Sequence, residues 1–485
     1  MLLLSWLYAA TLVSLAFFGF NLLLLLTLAV RHRHPSRIAA VAWSGRPWPP
    51  VLVQLPIFNE RYVVERLINA AAALDYPPER LVIQVLDDST DDTSATAKAR
   101  VAHHRACGRQ ITYHHRADRR GFKAGALAAG LHAVSAPVEF IAIFDADFIP
   151  PPDFLRRTLP AFQSAPRLGL VQARWDHLNA EQSTLTRAQA LALDGYFMVD
   201  QVARSRAGLL MNFNGSAGVW RRACIEEAGG WQGDTLAEDL DLSYRAQLSG
   251  WRLDYLPEVP APAELPTSIL ALKRQQFRWA AGSYQVLRKL GPQLLTARMP
   301  LFRKLEGFLH LAGYLVQPLV LAVLLLSLPI VLRYGQSPLN LNWLGWAGLG
   351  PVLVGLWGQI TLRRDWPKRM RYYPVLVMIG IGLSLSGALA MVEAFAGRRH
   401  AFARTPKFSS ANHRASAYAL PLDWTTWGEL VLALYALATG LLAVELAPGL
   451  APFIFLYALG FSYTAAMGFW QSGGVRRAEQ AQENL

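Results

Sequence analysis

A chain of 485 residues is too long for one ordinary domain, and 53% hydrophobic content with only 17% charge leans toward a membrane protein. The formal charge of +13 argues for cytoplasmic flanks facing anionic lipid rather than for nucleic acid, because the basic residues gather around apolar helices. Two cysteines without paired spacing, Cys107 and Cys224, support neither a disulfide framework nor a zinc site and fit a reducing compartment.

Residues 1–30 are nearly charge-free and long enough to span a bilayer, with no charged stretch before them and no small-residue cleavage site after them. They read as a retained transmembrane helix. Arg31-His32-Arg33-His34 follows at once, which puts the N-terminus outside and the next domain in the cytoplasm. That domain, residues 48–290, has mixed polarity and alternating strand-like and helix-like runs.

Val51 to Leu55 is a strand ended by Pro56, with Asn59-Glu60 and a helix-like segment from Tyr62 behind it. Leu81 to Leu86 is a second buried strand running into Asp87-Asp88-Ser89-Thr90. Ligands of open α/β sheets bind beyond the carboxyl ends of strands, so Asp88 is placed to hydrogen-bond a base or ribose, although the same four residues also make a good helix N-cap. The basic, glycine-bearing turn Arg116 to Leu127 feeds an Ala-rich helix, where Lys123 and helix N-terminal amides face a diphosphate unless the turn is merely solvated. Its spacing is not that of a P-loop.

Phe140 to Phe144 is a strongly apolar strand ending in Asp145-Ala146-Asp147. Unpaired buried charge is expensive, so two acids there imply a chemical role, which is to hold Mg2+ or Mn2+ through oxygen ligands and to contact ribose. Glu238, Asp239 and Asp241 open a later helix; acids there suit the helix dipole, but an inverting sugar transfer also needs a carboxylate base, for which Asp239 is the choice. Gln275-Gln276-Phe277-Arg278-Trp279 lies on an amphipathic stretch before the membrane part, either as an interfacial anchor or with Arg278 on a diphosphate and Trp279 against a sugar face.

After an interfacial segment at 291–304 come two transmembrane helices within 305–362, an apolar run at 373–397, two more spans within 429–470 and a polar cytoplasmic tail at 471–485. The connections 363–371 and 398–414 are both rich in Lys and Arg, so both belong in the cytoplasm, and the run between them, broken by Gly380, Gly382 and Gly387, is expected to be an interfacial or re-entrant helix. Five spans result; six spans with a charge exception is the alternative.

Taken together these residues resemble the membrane-embedded, inverting family 2 glycosyltransferases: cellulose, hyaluronan and chitin synthases and ceramide glucosyltransferases. The likeness is strongest to cellulose synthase-like mannan and glucan synthases, through Val53 to Glu60, Gly121 to Leu127, Val171 to Trp175 and Phe213 to Arg221. The resemblance implies a GT-A-like α/β nucleotide-sugar domain on a helical transmembrane bundle in the cell (inner) membrane. By the same resemblance Asp239 with Glu238 is catalytic, Pro56, Glu60, Asp87, Asp88, Lys123, Asp145 and Arg278 bind the nucleotide sugar, Asp145 and Asp147 hold the metal, and Gln275, Trp279, Gly215 and Ser216 frame the acceptor.

Residues 398–416 resemble the gating loop of cellulose synthases, through Phe402 to Lys407, with Thr405 and Lys407 on the nucleotide and Arg404 where those enzymes usually carry Val. Two departures stand out: Ala237 replaces the Thr of the Thr-Glu-Asp motif, and no cyclic-dinucleotide-binding domain is visible after the last span. The implied activity is metal-dependent, processive elongation of a β-linked glucan or mannan from a UDP- or GDP-hexose, with the chain threaded through the bilayer. Alternatives are single transfer to a membrane lipid and, from another class, a sugar-binding transport subunit without catalysis.

Overall fold

The computed structural model describes residues 2–32, 43–44, 46–163, 165–334, 342–397 and 420–483. Thr405, Lys407 and the rest of the expected gating loop lie outside these residues.

A seven-stranded sheet forms the centre of the soluble part: β1 (Val51–Ile57), β2 (Leu81–Asp87), β3 (Ile111–His115), β4 (Phe140–Ile143), β5 (Leu168–His177), β6 (Gly218–Arg221) and β7 (Arg252–Ala263), in the order β3-β2-β1-β4-β6-β5-β7. β1 pairs in parallel with β2 and β4, β2 with β3, and β5 with β7, whereas β6 runs antiparallel to both neighbours. The strands are apolar on both faces because both are covered. Val51, Val53 and Leu55 of β1 enter one hydrophobic cluster while Leu52 enters the other; Phe140 and Ala142 of β4 divide from Ile141 and Ile143 in the same way.

β1, β2, β4 and β5 all run in one direction, so their carboxyl ends come to one edge. Because β6 is antiparallel, the loop entering it, Asn212 to Ala217, arrives at the same edge. Helices α1 (Leu2–Arg31), α2 (Val64–Ala72), α3 (Thr93–Ala106), α4 (Phe122–Ala133), α5 (Thr184–Gly195) and α6 (Glu238–Leu248) precede a long helix, α7 (Ile269–Thr296), and then α8 (Leu301–Leu311). The expected interfacial segment 291–304 is thus shared between the end of α7 and the start of α8, where Leu301, Phe302 and Leu305 expose an apolar face.

The longer helices of the C-terminal third are α9 (Val316–Tyr334), α10 (Leu349–Leu362), α11 (Tyr373–Phe395), α12 (Trp424–Leu446) and α13 (Ala451–Glu483). Among the described residues five stretches are long and apolar enough to cross a membrane: Leu3–Arg31, Gly313–Arg333, Trp366–Phe395, Trp424–Leu446 and Ala451–Ser472. The number expected from sequence recurs, although helix length and composition alone pick out a different set at two places. The run 341–362 is not one helix: Asn342–Gly348 winds as a 3-10 helix and α10 has 14 residues. Gly345, Gly348, Gly350 and Pro351 disfavour an uninterrupted α-helix there. Conversely, the glycines of α11 do not break it; Gly382 lets Thr464 approach and Gly387 lets Gln317 approach, so they serve close helix packing.

Candidate functional site

A cavity of about 340 Å³ opens at the carboxyl edge of the sheet. Pro56 and Glu60 beyond β1, Asp88 beyond β2, Asp145 and Asp147 beyond β4, and Gly215 ahead of β6 all line it. From outside the sheet, α4 adds Lys123, the start of α6 adds Glu238 and Asp239, and α7 adds Gln275, Arg278 and Trp279. Side chains from distant parts of the sequence are therefore gathered by topology alone.

Lys123 sits at the centre of the charges. Its Nζ lies 2.5 Å from Asp145 Oδ1 and 3.9 Å from Glu238 Oε1, and it donates to the Gly215 carbonyl at 2.7 Å. Burial alone would lower its pKa, but Asp145 and Glu238 outweigh that and hold it above the usual lysine range. Burial pushes the Asp145 carboxyl upward, as does the neighbouring Asp147, against the pull of Lys123. The Asp239 carboxyl is raised by burial first and by the adjacent Glu238 charge second.

Asp239 is aimed by its surroundings. Its Oδ1 accepts from its neighbour's amide, Leu240 N, at 2.8 Å, and its Oδ2 faces Gly215, whose φ of +83° only glycine adopts without strain. The first turn of α6 is held by α7: Gly282 packs against Ala237, where an added Cβ would stand 2.7 Å from the alanine Cβ, and Leu236 N donates to Gln285 Oε1 at 2.8 Å. The helix that carries Gln275, Arg278 and Trp279 therefore also fixes Asp239.

Two expected residues, Asp87 and Ser216, have other placements, and Asp241, the third acid of the α6 turn, stays out of the cavity. Asp87 does not line the cavity; its buried carboxylate accepts from Ser89 N at 2.8 Å, Ser94 Oγ at 2.5 Å and Tyr113 Oη at 2.5 Å, which ties β2 to α3 and β3. These bonds support the strand end. Ser216 is fully buried beneath the site, where its Oγ accepts from Asp145 N at 2.9 Å. Asp241 turns away to Arg245 and Lys289, at 2.7 and 2.9 Å.

Asp88 lines the cavity, but its carboxylate is forked by Arg116, at 2.7 Å from Nε and 2.5 Å from Nη2. Sequence reasoning did not assign that role to Arg116, nor did it find Arg119, which stacks 3.3 Å above the Phe58 ring and also lines the cavity. Trp175, Asp176, His177 and Asn214 are further lining residues outside the expected set; Trp175 and Asn214 fall inside motifs that carried the family resemblance, which was the available signal. On the membrane side Leu272, Leu376, Ile379 and Leu383 form an apolar wall.

Among the described residues no cluster of three or more His, Cys, Asp or Glu side chains could hold a metal by itself. The donor set nevertheless fits a hard cation. Asp145 and Asp147 supply two carboxylates in a cavity where acids outnumber Lys123, Arg119 and Arg278, and Mg2+ or Mn2+ typically keeps substrate and water oxygens in its remaining positions.

Residues 49–282 match the family described as "Glycosyltransferase like family 2". The chain is 46% identical over 248 residues to glucomannan 4-beta-mannosyltransferase 1 of Oryza sativa subsp. japonica, covering 50% of this chain and 47% of the relative. It is 43% identical over 257 residues to glucomannan 4-beta-mannosyltransferase 7 of Arabidopsis thaliana, covering 53% and 46%. The chain thus spans about half the length of the curated relatives it matches. In fold it is similar to a mannosyltransferase of Pyrobaculum calidifontis solved with GDP-Man and Mn2+, with a TM-score of 0.53 at 20% identity over 79% of this chain and 99% of the other.

Proposed function

We propose that the family 2 glycosyltransferase domain of residues 49–282 transfers a hexose, with inversion, from a nucleotide sugar to a growing β-linked mannan or glucan. One observation carries this reading: Lys123, Asp145, Asp147, Glu238 and Asp239 share one cavity with Gln275, Arg278 and Trp279, directly against an apolar wall from α11. The mannan synthase relatives support a mannosyl or glucosyl donor, and hence GDP or UDP as the leaving group.

In this mechanism Asp239 takes the proton of the acceptor hydroxyl as its oxygen bonds to the anomeric carbon and the bond to the diphosphate breaks on the opposite face. Lys123 and Arg278 stabilise the negative charge of the departing diphosphate. Asp145 and Asp147 would hold a divalent cation, which neutralises the same charge when bound. Trp279 offers a ring to a sugar face, and Gln275 hydrogen-bonds its hydroxyls.

We read α11 as lying at the cytoplasmic face. Leu376, Ile379 and Leu383, from its first half and middle, line the catalytic cavity, and both flanks are rich in Lys and Arg. The 3-10 stretch Asn342–Gly348 and α10 together reach roughly 35 Å, enough to return across a core of about 30 Å. With the N-terminus outside, the catalytic domain is cytoplasmic and the product passes outward between the spans.

The test is a donor screen by nucleotide release with purified protein, followed by linkage analysis of the product. Long β-linked chains with Asp239→Asn inactive fit this function, and a donor that is only hydrolysed contradicts it. The apolar wall also favours a second reading, single transfer to a lipid acceptor, which predicts a product extractable into organic solvent.

A further inference from the structure

A charged pair lies buried behind the acceptor side of the cavity, outside the machinery described above. Lys273, on the first turns of α7, points its Nζ to Glu429 of α12 at 2.6 Å, and donates to Thr426 Oγ1 at 3.3 Å. The lysine side chain is 3% exposed and the glutamate side chain 0%. On the preceding turn Ile269 N donates to Gln471 Oε1 of α13 at 2.8 Å. The start of α7 is therefore pinned to both helices that end the chain.

Gln275 is two residues beyond Lys273 on the same helix, and Trp279 lies less than two turns beyond it. The surroundings are apolar: Ile269, Leu270 and Leu272 of α7 pack with Ile379 and Leu383 of α11 in one cluster. An ion pair in such a place is seldom the most stable choice, because an apolar pair of similar volume avoids the desolvation of both charges. What an ion pair adds is directionality. It permits one axial register of α7 against α12, whereas Leu on Met would permit several.

We propose that Lys273 and Glu429 are positioning residues for the acceptor: their ion pair fixes the register of α7 against α12 and α13, and so holds Gln275 and Trp279 over the sugar that receives the next residue. This rests on the acceptor role given to Gln275 and Trp279 above. Most of the donor end, formed by Asp88, Lys123, Asp145 and Asp147, hangs from the sheet and α4; of the residues given a donor role above, Arg278 alone is carried on α7, so a shift of α7 moves the acceptor end more than the donor end.

The experiment uses full-length protein and compares wild type with the double variant Lys273→Met with Glu429→Leu, and with Glu429→Asp alone. Each is measured for melting temperature, donor KM by nucleotide release, KM for a soluble β-1,4-linked manno-oligosaccharide, and product length. The expected double variant melts near wild type, keeps its donor KM within twofold, raises the acceptor KM tenfold or more and makes shorter chains. Glu429→Asp, which keeps the charge but shortens the reach, raises the acceptor KM at least threefold and carries the test if the double variant does not fold.

Unchanged acceptor KM and product length in the folded variants overturn the proposal, as does a donor KM that rises in step with the acceptor KM. A wild-type enzyme that makes no β-linked chain from any nucleotide sugar overturns the proposed function, and this inference with it. A wild type that extends chains beside variants that extend them equally well overturns the inference alone.

Discussion

The carboxylate of Asp239 lies so close over Gly215 that a Cβ built on residue 215 would stand 2.8 Å from Oδ2. The glycine is thus needed twice, for its φ of +83° and for the space above it. Gly215→Ala strains the loop by about 1 kcal/mol and pushes Asp239 out of line. A displacement near 1 Å at the base corresponds to a rate loss of about 100-fold, so kcat should fall by one to two orders of magnitude while the protein stays folded. Wild-type nucleotide release from this variant would separate Asp239 from the reaction.

If Asp239 is the base proposed above, Asp239→Asn removes it without changing the shape of the turn, and transfer should fall by roughly two to four orders of magnitude. The pH response follows from the raised pKa. Burial and the Glu238 charge favour the protonated carboxyl, and the base works only when deprotonated, so the rate rises with pH through the Asp239 titration and levels off above it. Glu238→Gln removes the neighbouring charge and should shift that rise to lower pH. A rate limb that stays put in Glu238→Gln would contradict the assignment.

Much of this site could be read from sequence because its acids stand where apolar runs stop. Asp145 and Asp147 follow β4 directly, and Glu238 and Asp239 open a helix, so their exposure to a common edge follows from α/β topology. Asp87 and Asp88 show where such reading fails. Adjacent residues at a strand end point to opposite faces, and the sequence alone does not say which face holds the ligand. The structure turns Asp87 to Tyr113 and Ser94 and gives Asp88 to the cavity.

Partnerships between distant segments were equally hidden: the Arg116 fork on Asp88 and the Ser216 hydroxyl under Asp145 require the fold before they can be seen. In the membrane part, composition identified apolar runs, but whether glycines end a helix or let another helix approach depends on neighbours. Gly382 and Gly387 have such neighbours, Thr464 and Gln317, and α11 continues through them.

The acid-rich cavity predicts a dependence on divalent cation. Chelation should abolish transfer, with Mg2+ or Mn2+ restoring it, because Asp145 and Asp147 then face the donor diphosphate with only Lys123, Arg119 and Arg278 to offset a larger number of acids. Asp147→Asn should raise the cation concentration needed for half-maximal rate about tenfold or more, while Asp241→Asn, whose carboxylate faces Arg245 and Lys289, should leave that requirement unchanged. Full activity in chelator would remove the cation from the mechanism.

Asp194, at the end of α5, links the sheet domain to α10. Its carboxylate accepts from Gln359 Nε2 at 2.9 Å and Arg363 Nε at 3.3 Å, both from the end of α10, and meets His177 Nε2 at 3.2 Å. Burial alone would raise its pKa, but His177 and Arg363 bring it down to about 2. A folded value below the unfolded one means that the charge stabilises the fold fully above the usual carboxylate range and is lost as pH falls through the folded value. Linkage gives about 2 kcal/mol at pH 7, and roughly half of that near pH 3. Asp194→Asn should therefore melt several degrees lower than wild type at pH 7, with the gap narrowing under acid. A gap that does not change with pH would mean that packing, not charge, joins α5 to α10.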